Sequence, residues 1–396
     1  MYNTPLGNRD LIRAINRSII LNTIKTHGVI GRADVARLTG LSPATVTGIT
    51  ADLIEEGLVF EKEPGDSSGG RRQMLLAINP QGGYVVGIKV MEDHALGALT
   101  DLEAGVLEKL SQPLIASSPE ALQDALYHLV QKLLEHAGIP ASRLMGIGIG
   151  MAGIIDAERG ILRQSPFFGW RNVPLRDMLQ ARFNLPVYID NDVNTLTFAE
   201  KWFGAGQGIN HFLVFTVGRG IGLGLVANGQ FFRGVRGGAG EFGHMVVDPQ
   251  GPACDCGKKG CLEAYIGDKA LLSQAAAAFE AGELPRKPEN IDELLVMLQA
   301  GQPAAQEIFS RAGELFGRGV ASLINLFDPE LILISGEGTQ RGEWFFKAME
   351  ESVQCHTMPG LLEDVKIKIE PWGDDAWARG AASLVLHELF EPPVKQ

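Results

Sequence analysis

Apolar and polar positions follow three successive patterns along the chain. From Asp10 to about Lys25, Ile12, Ile15, Ile19 and Ile20 recur at helical spacing, and His27-Gly28 ends the run. A shorter helix is predicted from Arg32 to Thr39, with Val35 and Leu38 inward and Gly40 placed as a C-terminal cap. Ser42 is a natural N-cap and Pro43 suits the first turn of a third helix in LSPATVTGITADLIEEGLV. Its buried stripe is Val46, Ile49 and Leu53, which leaves Ala44, Thr45, Thr47 and Gly48 small and outward. The period then shortens. Gly57-Leu58-Val59 starts a strand, GDSSGGRR makes a polar tip, and Gln73 to Asn79 returns as a second strand.

Asn79-Pro80-Gln81-Gly82-Gly83 reads as a linker. After it come strands at 84–91, 94–101 and about 105–112, a helix at about 119–137, strand 144–153, a helix near 174–183, strand 187–190, and a helix from Asp192 to about Phe203. The order then restarts. Strands at 211–217, 221–227 and about 230–233 lead into a cysteine-bearing loop and helices at 268–281, 291–299 and 303–327. Strand 331–335, a helix near 342–354, strand 365–370 and a helix at 374–389 complete the pattern. Three antiparallel strands followed by alternating helices and strands, twice over, predict a duplicated α/β architecture. Two such lobes enclose a cleft, a favoured place for a small ligand. The repeat rests on the order of elements, with no sequence identity visible between the halves.

Composition narrows the class. At 396 residues the chain should form two or three domains, and 45% apolar with 21% charged residues suits a globular protein. No run of about 18 or more apolar residues occurs, and MYNTPLGNRD lacks the apolar core of a signal peptide, so a cytoplasmic protein with no membrane association is expected. The net charge of −12 argues against nucleic-acid affinity over the whole surface. Residues 1–50 nevertheless carry six basic side chains (Arg9, Arg13, Arg17, Lys25, Arg32, Arg37) against Asp10 and Asp34. An acidic body with a basic amino-terminal module is the distribution expected when one small domain touches phosphates.

Two helices joined by a short glycine-containing turn, the second opening on small polar residues, predict a helix-turn-helix. Ser42, Ala44, Thr45 and Thr47 would then sit in a major groove. A three-helix scaffold that binds protein is the alternative for the helices alone. The following hairpin adds a β-wing with Arg71 and Arg72 at its base, placed for phosphates or a minor groove, so DNA is the expected partner.

Candidate chemistry concentrates in three stretches. Gly238 to Glu263 holds His244, Cys254, Cys256 and Cys261 in an H-x9-C-x-C-x4-C pattern, a common ligand set for structural zinc, Zn2+, bracketed by Glu241 and Glu263. A disulfide is disfavoured because Cys254 and Cys256 are too close and three cysteines leave one unmatched; unligated thiols remain the alternative. In IDNDVNTLTFAE, Asn191 and Asp192 end a strand and open a helix, where Asp can accept a proton from a sugar hydroxyl or the pair can simply cap the helix. TVGRGIGLGLV is a glycine-dense hairpin whose amides could approach an anion or nucleotide, although buried hairpins need glycine too.

Together these stretches resemble the ROK family, which contains sugar-responsive transcriptional repressors and sugar kinases. VGRGIGLGL, then Gly234, Gly240 and Gly243-His244, follow the family signature, and the CDCGKKGCLE and IDNDVN blocks also fit. The resemblance runs from the helix-turn-helix to the C-terminus. It implies an α/β fold with a winged helix-turn-helix at 1–80 and an actin-like, sugar-kinase-type body of two duplicated ribonuclease-H-like lobes. The small lobe would comprise 81–192 plus 375–396, and the large lobe 193–374. Asn191, Asp192, Glu241, His244 and Glu263 would line a sugar site, with His244 ligating zinc through its other face and Gly153 meeting the sugar through its backbone. Operator DNA, a sugar or sugar derivative as effector, and further copies of the chain in a homodimer or homotetramer are the implied partners.

Departures from the family pattern separate its branches. Family kinases carry a DxGxT-type phosphate loop on the first strand of the small lobe. Here GIKVMED puts Lys89 where the Asp would stand, with no following glycine, and Arg219 replaces a Thr usual between two glycines. Phosphoryl transfer relies on positioning and charge stabilisation by such groups. Asp192, the kinase proton acceptor, is kept and can persist as a hydroxyl ligand. A non-catalytic repressor of carbohydrate-utilisation genes is therefore expected, against an ATP-dependent sugar kinase or a repressor controlled by a docked protein. Phe167 or Phe168 occupies the neighbourhood of a sugar-reading Asn and could stack on a pyranose or serve the core. Lys89 and Arg219 could share an anion such as a sugar phosphate, or each could fill or salt-bridge the emptied space.

Overall fold

The first helix, α1 (Arg9–His27), forms as the spacing predicts, but its inward face is offset. Ile20, Leu21 and Ile24 are buried while Ile12 is 53% exposed, because the elements that cover α1 gather around its C-terminal half. The computed structural model describes residues 9–62, 74–115, 118–371 and 374–390. A two-residue strand, β1 (Ile30–Gly31), leads into α2 (Arg32–Thr39), which closes on Gly40 at a left-handed φ of 68°. Val35 points inward as expected; Leu38 is instead 47% exposed. In α3 (Pro43–Glu55) the Ser42 hydroxyl accepts from the Thr45 amide at 3.1 Å, and Val46, Ile49 and Leu53 are buried together with Thr50.

Strands β2 (Val59–Lys62) and β3 (Leu75–Ile78) pair antiparallel, and β1 adds to the other edge of β3. Three helices and this sheet make a winged helix-turn-helix. The tip with Arg71 and Arg72 lies outside the described residues. The expected linker is instead an ordered junction. Asn79 Nδ2 donates to Gly57 O at 2.7 Å, and the module's core runs on into Val85, Leu102, Val385, Leu386 and Phe390 of the body.

The body repeats one topology. Its first sheet comprises β4 (Tyr84–Val90), β5 (His94–Thr100), β6 (Val106–Pro113), β7 (Leu144–Met151) and β11 (Val187–Asn191), in the order β11-β7-β4-β5-β6. Helices α4 (Pro119–Ala137) and α5 (Leu175–Phe183) accompany it. Between them, β8 (Ile154–Asp156), β9 (Ile161–Gln164) and β10 (Arg171–Val173) form a small antiparallel sheet that the sequence pattern does not predict. Helix α6 (Asp192–Phe203) then crosses to the second sheet, β12 (Phe212–Val217), β13 (Ile221–Ala227), β14 (Gln230–Phe231), β15 (Leu331–Ser335) and β16 (Lys366–Ile369), in the order β14-β13-β12-β15-β16. In each sheet an antiparallel trio is extended by two parallel strands on the side of its first member. The duplication expected from element order is thus a duplication of pairing.

Helices α7 (Glu263–Ile266), α8 (Asp268–Glu280), α9 (Ile291–Gln299), α10 (Pro303–Phe327) and α11 (Gly342–His356) belong with the second sheet, whose core includes Phe215, Phe242, Phe316 and Phe345. The final helix, α12 (Asp374–Phe390), returns to the first sheet. No helix among the described residues is long and apolar enough to cross a membrane. The return of α12 brings backbone onto backbone: a Cβ at Gly148 of β7 would stand 1.8 Å from Ala381 O. Gly148→Ala should therefore lower unfolding stability by about 1–3 kcal/mol through overpacking. Urea denaturation measures it, and an unchanged midpoint would contradict the close approach.

Candidate functional site

The cleft is built where β11 gives way to α6. Asn191 is the N-cap of α6, its Oδ1 accepting from the Val193 amide at 2.8 Å, while its Nδ2 donates to Gly153 O at 3.0 Å. Capping and site-building thus coincide in one side chain. The Asp192 carboxylate accepts from the Val193 amide at 3.1 Å. Burial lifts the Asp192 carboxyl above the usual carboxylate range; Lys89 pulls it back, and Glu337 adds to the lift. Lys89 is 7% exposed, with its ammonium 3.4 Å from the centroid of Trp377. Lys89 therefore supplies a buried ammonium whose charge acts on Asp192.

Across the cleft, the turn between β12 and β13 carries Arg219. It pairs with Glu92 in the β4–β5 turn and lies 4.8 Å over the Phe167 ring. Lys89 and Arg219, considered as joint holders of an anion, each have separate partners instead. Behind the turn, a Cβ at Gly218 would meet Glu337 Oε2 at 2.7 Å, so a carboxylate fills the back of the glycine hairpin. Arg341, 1% exposed, ties this corner together by donating to Gly218 O at 3.1 Å, Ile266 O at 2.8 Å and Asp268 Oδ1 at 2.7 Å. Phe168 stacks on Trp170 at 4.6 Å and packs against the first lobe's core, which is the core role of the two considered for it.

The cysteine loop forms the remaining wall. Cys254 N donates to Lys258 O at 2.8 Å and Gly257 N to Cys254 O at 2.9 Å, folding a tight knuckle beside the Val246–Cys261 bridge. His244 Nδ1 lies 3.6 Å from Cys254 Sγ, Cys256 Sγ lies 3.6 Å from Cys261 Sγ, and all four ligand atoms fall within 4.8 Å of one another. A tetrahedral ion with bonds of about 2.3 Å to sulfur and about 2.0–2.1 Å to nitrogen sets ligand edges of about 3.5–3.8 Å, so the cluster could hold a metal. Burial pushes the Cys254 thiol up to about 12, a cost that a bound cation removes by replacing the protons.

His244 joins this knuckle to the cleft. Its Nε2 is 3.9 Å from Glu241 Oε2, and its Nδ1 is 3.9 Å from Glu263 Oε1. Glu263 Oε2 accepts from the Ile221 amide at 2.9 Å, which fixes it to the start of β13. Burial raises the Glu241 carboxyl, His244 lowers it, and the like charges of Glu263 and Asp192 raise it again. Solvent tempers all of these, because 42% of the Glu241 side chain is exposed. The five expected cleft side chains, Asn191, Asp192, Glu241, His244 and Glu263, are therefore brought into one neighbourhood, and Gly153 is bonded to Asn191.

One pair was not read from the sequence. Asp190 is 1% exposed and accepts from Asn194 Nδ2 at 2.8 Å, the Asn191 amide at 2.8 Å and Arg233 Nε at 2.7 Å. Arg233 comes from the loop after β14, so the pair bridges the lobes directly behind Asp192. An acidic residue ending an otherwise apolar strand was the available signal. The same loop presses onto the first lobe at Gly237, where φ is 76° and a Cβ would stand 1.7 Å from Ile155 O.

In the amino-terminal module, Ser42, Ala44 and Thr47 are exposed and Thr45 half-buried. The basic surplus nearly vanishes over the module as a whole, and most of its arginines are paired. Arg13 pairs with Asp52, Arg17 with Glu56, Arg32 with Glu61 and Arg37 with Asp34, and residues 9–62 hold seven basic side chains against six acidic ones. The surplus came from ending the count at residue 50, just before the acidic end of α3.

A winged helix on an actin-like, sugar-kinase-type body, with polar cleft residues beside a metal-ready knuckle, defines the class. The chain belongs to the ROK family, whose family model matches residues 85–388. It is 34% identical to a xylose repressor of Caldicellulosiruptor bescii over 98% of this chain and 99% of that protein. The crystal structure of a ROK family transcriptional regulator, a homologue of the Escherichia coli Mlc protein, superimposes with a TM-score of 0.87 at 27% identity, covering 96% of this chain and 97% of the other. A ROK hexokinase from Thermus thermophilus is matched over 99% of its length with a TM-score of 0.67 at 32% identity, but over only 77% of this chain.

The raised Asp192 carboxyl has a consequence for stability. The native pKa lies above the unfolded one, so ionisation costs stability: nothing is lost below the unfolded value near about 4, and the loss grows as pH rises through the native value. The parent's urea midpoint should therefore fall between pH 4 and pH 7 relative to that of Asp192→Asn, which lacks the titrating carboxyl. A difference between the two that does not change with pH would contradict the burial argument.

Proposed function

We infer that the protein is a sugar-responsive repressor of carbohydrate-utilisation genes that binds operator DNA and senses a sugar or sugar derivative in the interlobe cleft. The observation that carries this reading is an asymmetry of the cleft. Its sugar side keeps Asn191, Asp192, Glu241, His244 and Glu263 together, while its phosphate side is taken up by Lys89, Glu337 and the Arg219–Glu92 pair. ATP phosphates would meet a carboxylate at Gly218 and a lysine in place of the metal-positioning Asp, so the reading includes no phosphoryl transfer. Support for the sensing half also comes from the near full-length match to a xylose repressor.

In this reading residues 1–80 form the DNA-binding module, 81–192 with 375–396 the small lobe, and 193–374 the large lobe. Ser42, Ala44, Thr45 and Thr47 face the major groove, with Arg71 and Arg72 on the wing. A symmetric homodimer or homotetramer presents two modules to a pseudo-palindromic operator. Zinc on His244, Cys254, Cys256 and Cys261 is structural: it fixes the knuckle and so the orientation of His244 beside Glu241 and Glu263. Sugar shifts operator affinity only through unequal affinity for two lobe arrangements, a coupling of about 1–3 kcal/mol.

Fluorescence anisotropy of a labelled operator, titrated across a sugar panel beginning with xylose, tests the reading. At least one sugar should change operator affinity by about 5–150-fold. If none does, the protein is no sugar-responsive repressor. Metal analysis should find one zinc per chain, and chelation should abolish the sugar response before it weakens operator binding. A chelated protein that responds normally would separate the knuckle from sensing.

A further inference from the structure

Lys25, in the last turn of α1, places its ammonium among three aromatic rings of the body. The nitrogen is buried, 3.3 Å from the centroid of Trp202 and 4.8 Å from those of Phe203 and Phe390. Trp202 and Phe203 end α6, and Phe390 ends α12. The cage is therefore made by two body helices and filled by the DNA-binding module. Helix α6 begins at Asp192 in the cleft, and its 12 residues span about 18 Å to the cage. It has further anchors along its length. Arg233, which holds Asp190 behind Asp192, lies 4.9 Å over Phe198 in the middle of α6. Phe198 and Trp202 both pack edge-on against His387 of α12, at 5.2 and 5.6 Å. On the module side, α1 is ion-paired to α3 through Arg13–Asp52 and Arg17–Glu56. Packed contacts thus run without a gap from the cleft carboxylates to the helix that faces DNA.

We propose that the aromatic cage around Lys25 is the joint through which cleft occupancy reaches the DNA-binding module, with α6 as the connecting rod. This rests on the repressor reading above. A cation is held when it sits over a ring face within about 6 Å of the centroid, so the contact depends on how α1 sits against the ends of α6 and α12. Lobe closure that tilts α6 at Asp192 moves Trp202 at its far end. Lys25 carries that movement into α1, and the ion pairs carry it into α3. The joint is a positioning element: Lys25 touches neither sugar nor DNA.

The test uses the full-length protein, a duplex selected from a random pool by the wild type, and an equimolar mixture of xylose, glucose and N-acetylglucosamine. Three quantities are measured for wild type, Lys25→Met and Lys25→Arg: operator affinity without sugar, sugar affinity without DNA, and the sugar-induced shift in operator affinity. Lys25→Met should keep both affinities within about 3-fold of wild type while its shift falls below about 2-fold, against the 5–150-fold typical of coupled sites. Lys25→Arg, which keeps a cation over the rings, should retain the shift. A full shift in Lys25→Met overturns the joint and leaves the repressor reading standing. No shift in the wild type overturns that reading, and the joint falls with it. Should Lys25→Met not fold, Trp202→Phe decides: its weaker ring should reduce the shift without abolishing it, and an unchanged shift overturns the proposal.

Discussion

Much of this molecule depends on the last helix lying directly on strands formed early in the chain. The backbone of α12 sits against β7 so closely that Gly148 has no room for a methyl group. Through that contact α12 closes the first lobe, and through Val385, Leu386 and Phe390 it supplies part of the core of the amino-terminal module. Helix α6, packed along it, belongs at once to the cleft, the second sheet and the junction with α1. A module expected to hang from a linker is instead continuous with the elements that form the cleft.

The cleft itself is governed by the balance of charge in a confined space. Asp192, Glu241 and Glu263 repel one another, and the structure answers with Lys89 on one side and His244 on the other. A lysine ammonium held over Trp377 offsets part of this repulsion at Asp192.

Long periodic segments were legible from the sequence, as were the duplicated order and the histidine–cysteine knuckle, because each is set by local spacing. Helices 32–39, 119–137 and 303–327 needed only their apolar stripes and caps. The strands β1, β8, β9 and β10 have two to four residues, too few for any period, and exist through pairing with distant partners. The exposure of Ile12 and Leu38 depended on which neighbours reach them, which periodicity does not encode. Among the cleft residues, those carrying family motifs were found and Arg233 was not. Its role arises from meeting Asp190, 43 positions earlier in sequence. The pairs Arg13–Asp52 and Arg17–Glu56 span 39 positions, so a window of basic residues could not reveal them.

The Arg219–Glu92 bridge at the mouth of the cleft is largely exposed, 65% and 50% by side chain. At physiological ionic strength charges are screened over about 8 Å, and exposed pairs lose most of their attraction as salt rises. The Asp190–Arg233 bridge, with its carboxylate 1% exposed, is largely shielded from that effect. Two of the ties between the lobes therefore differ in kind: one feels the ionic strength of the medium and the other is largely sheltered from it. Raising salt would weaken the outer lip of the cleft more than its floor.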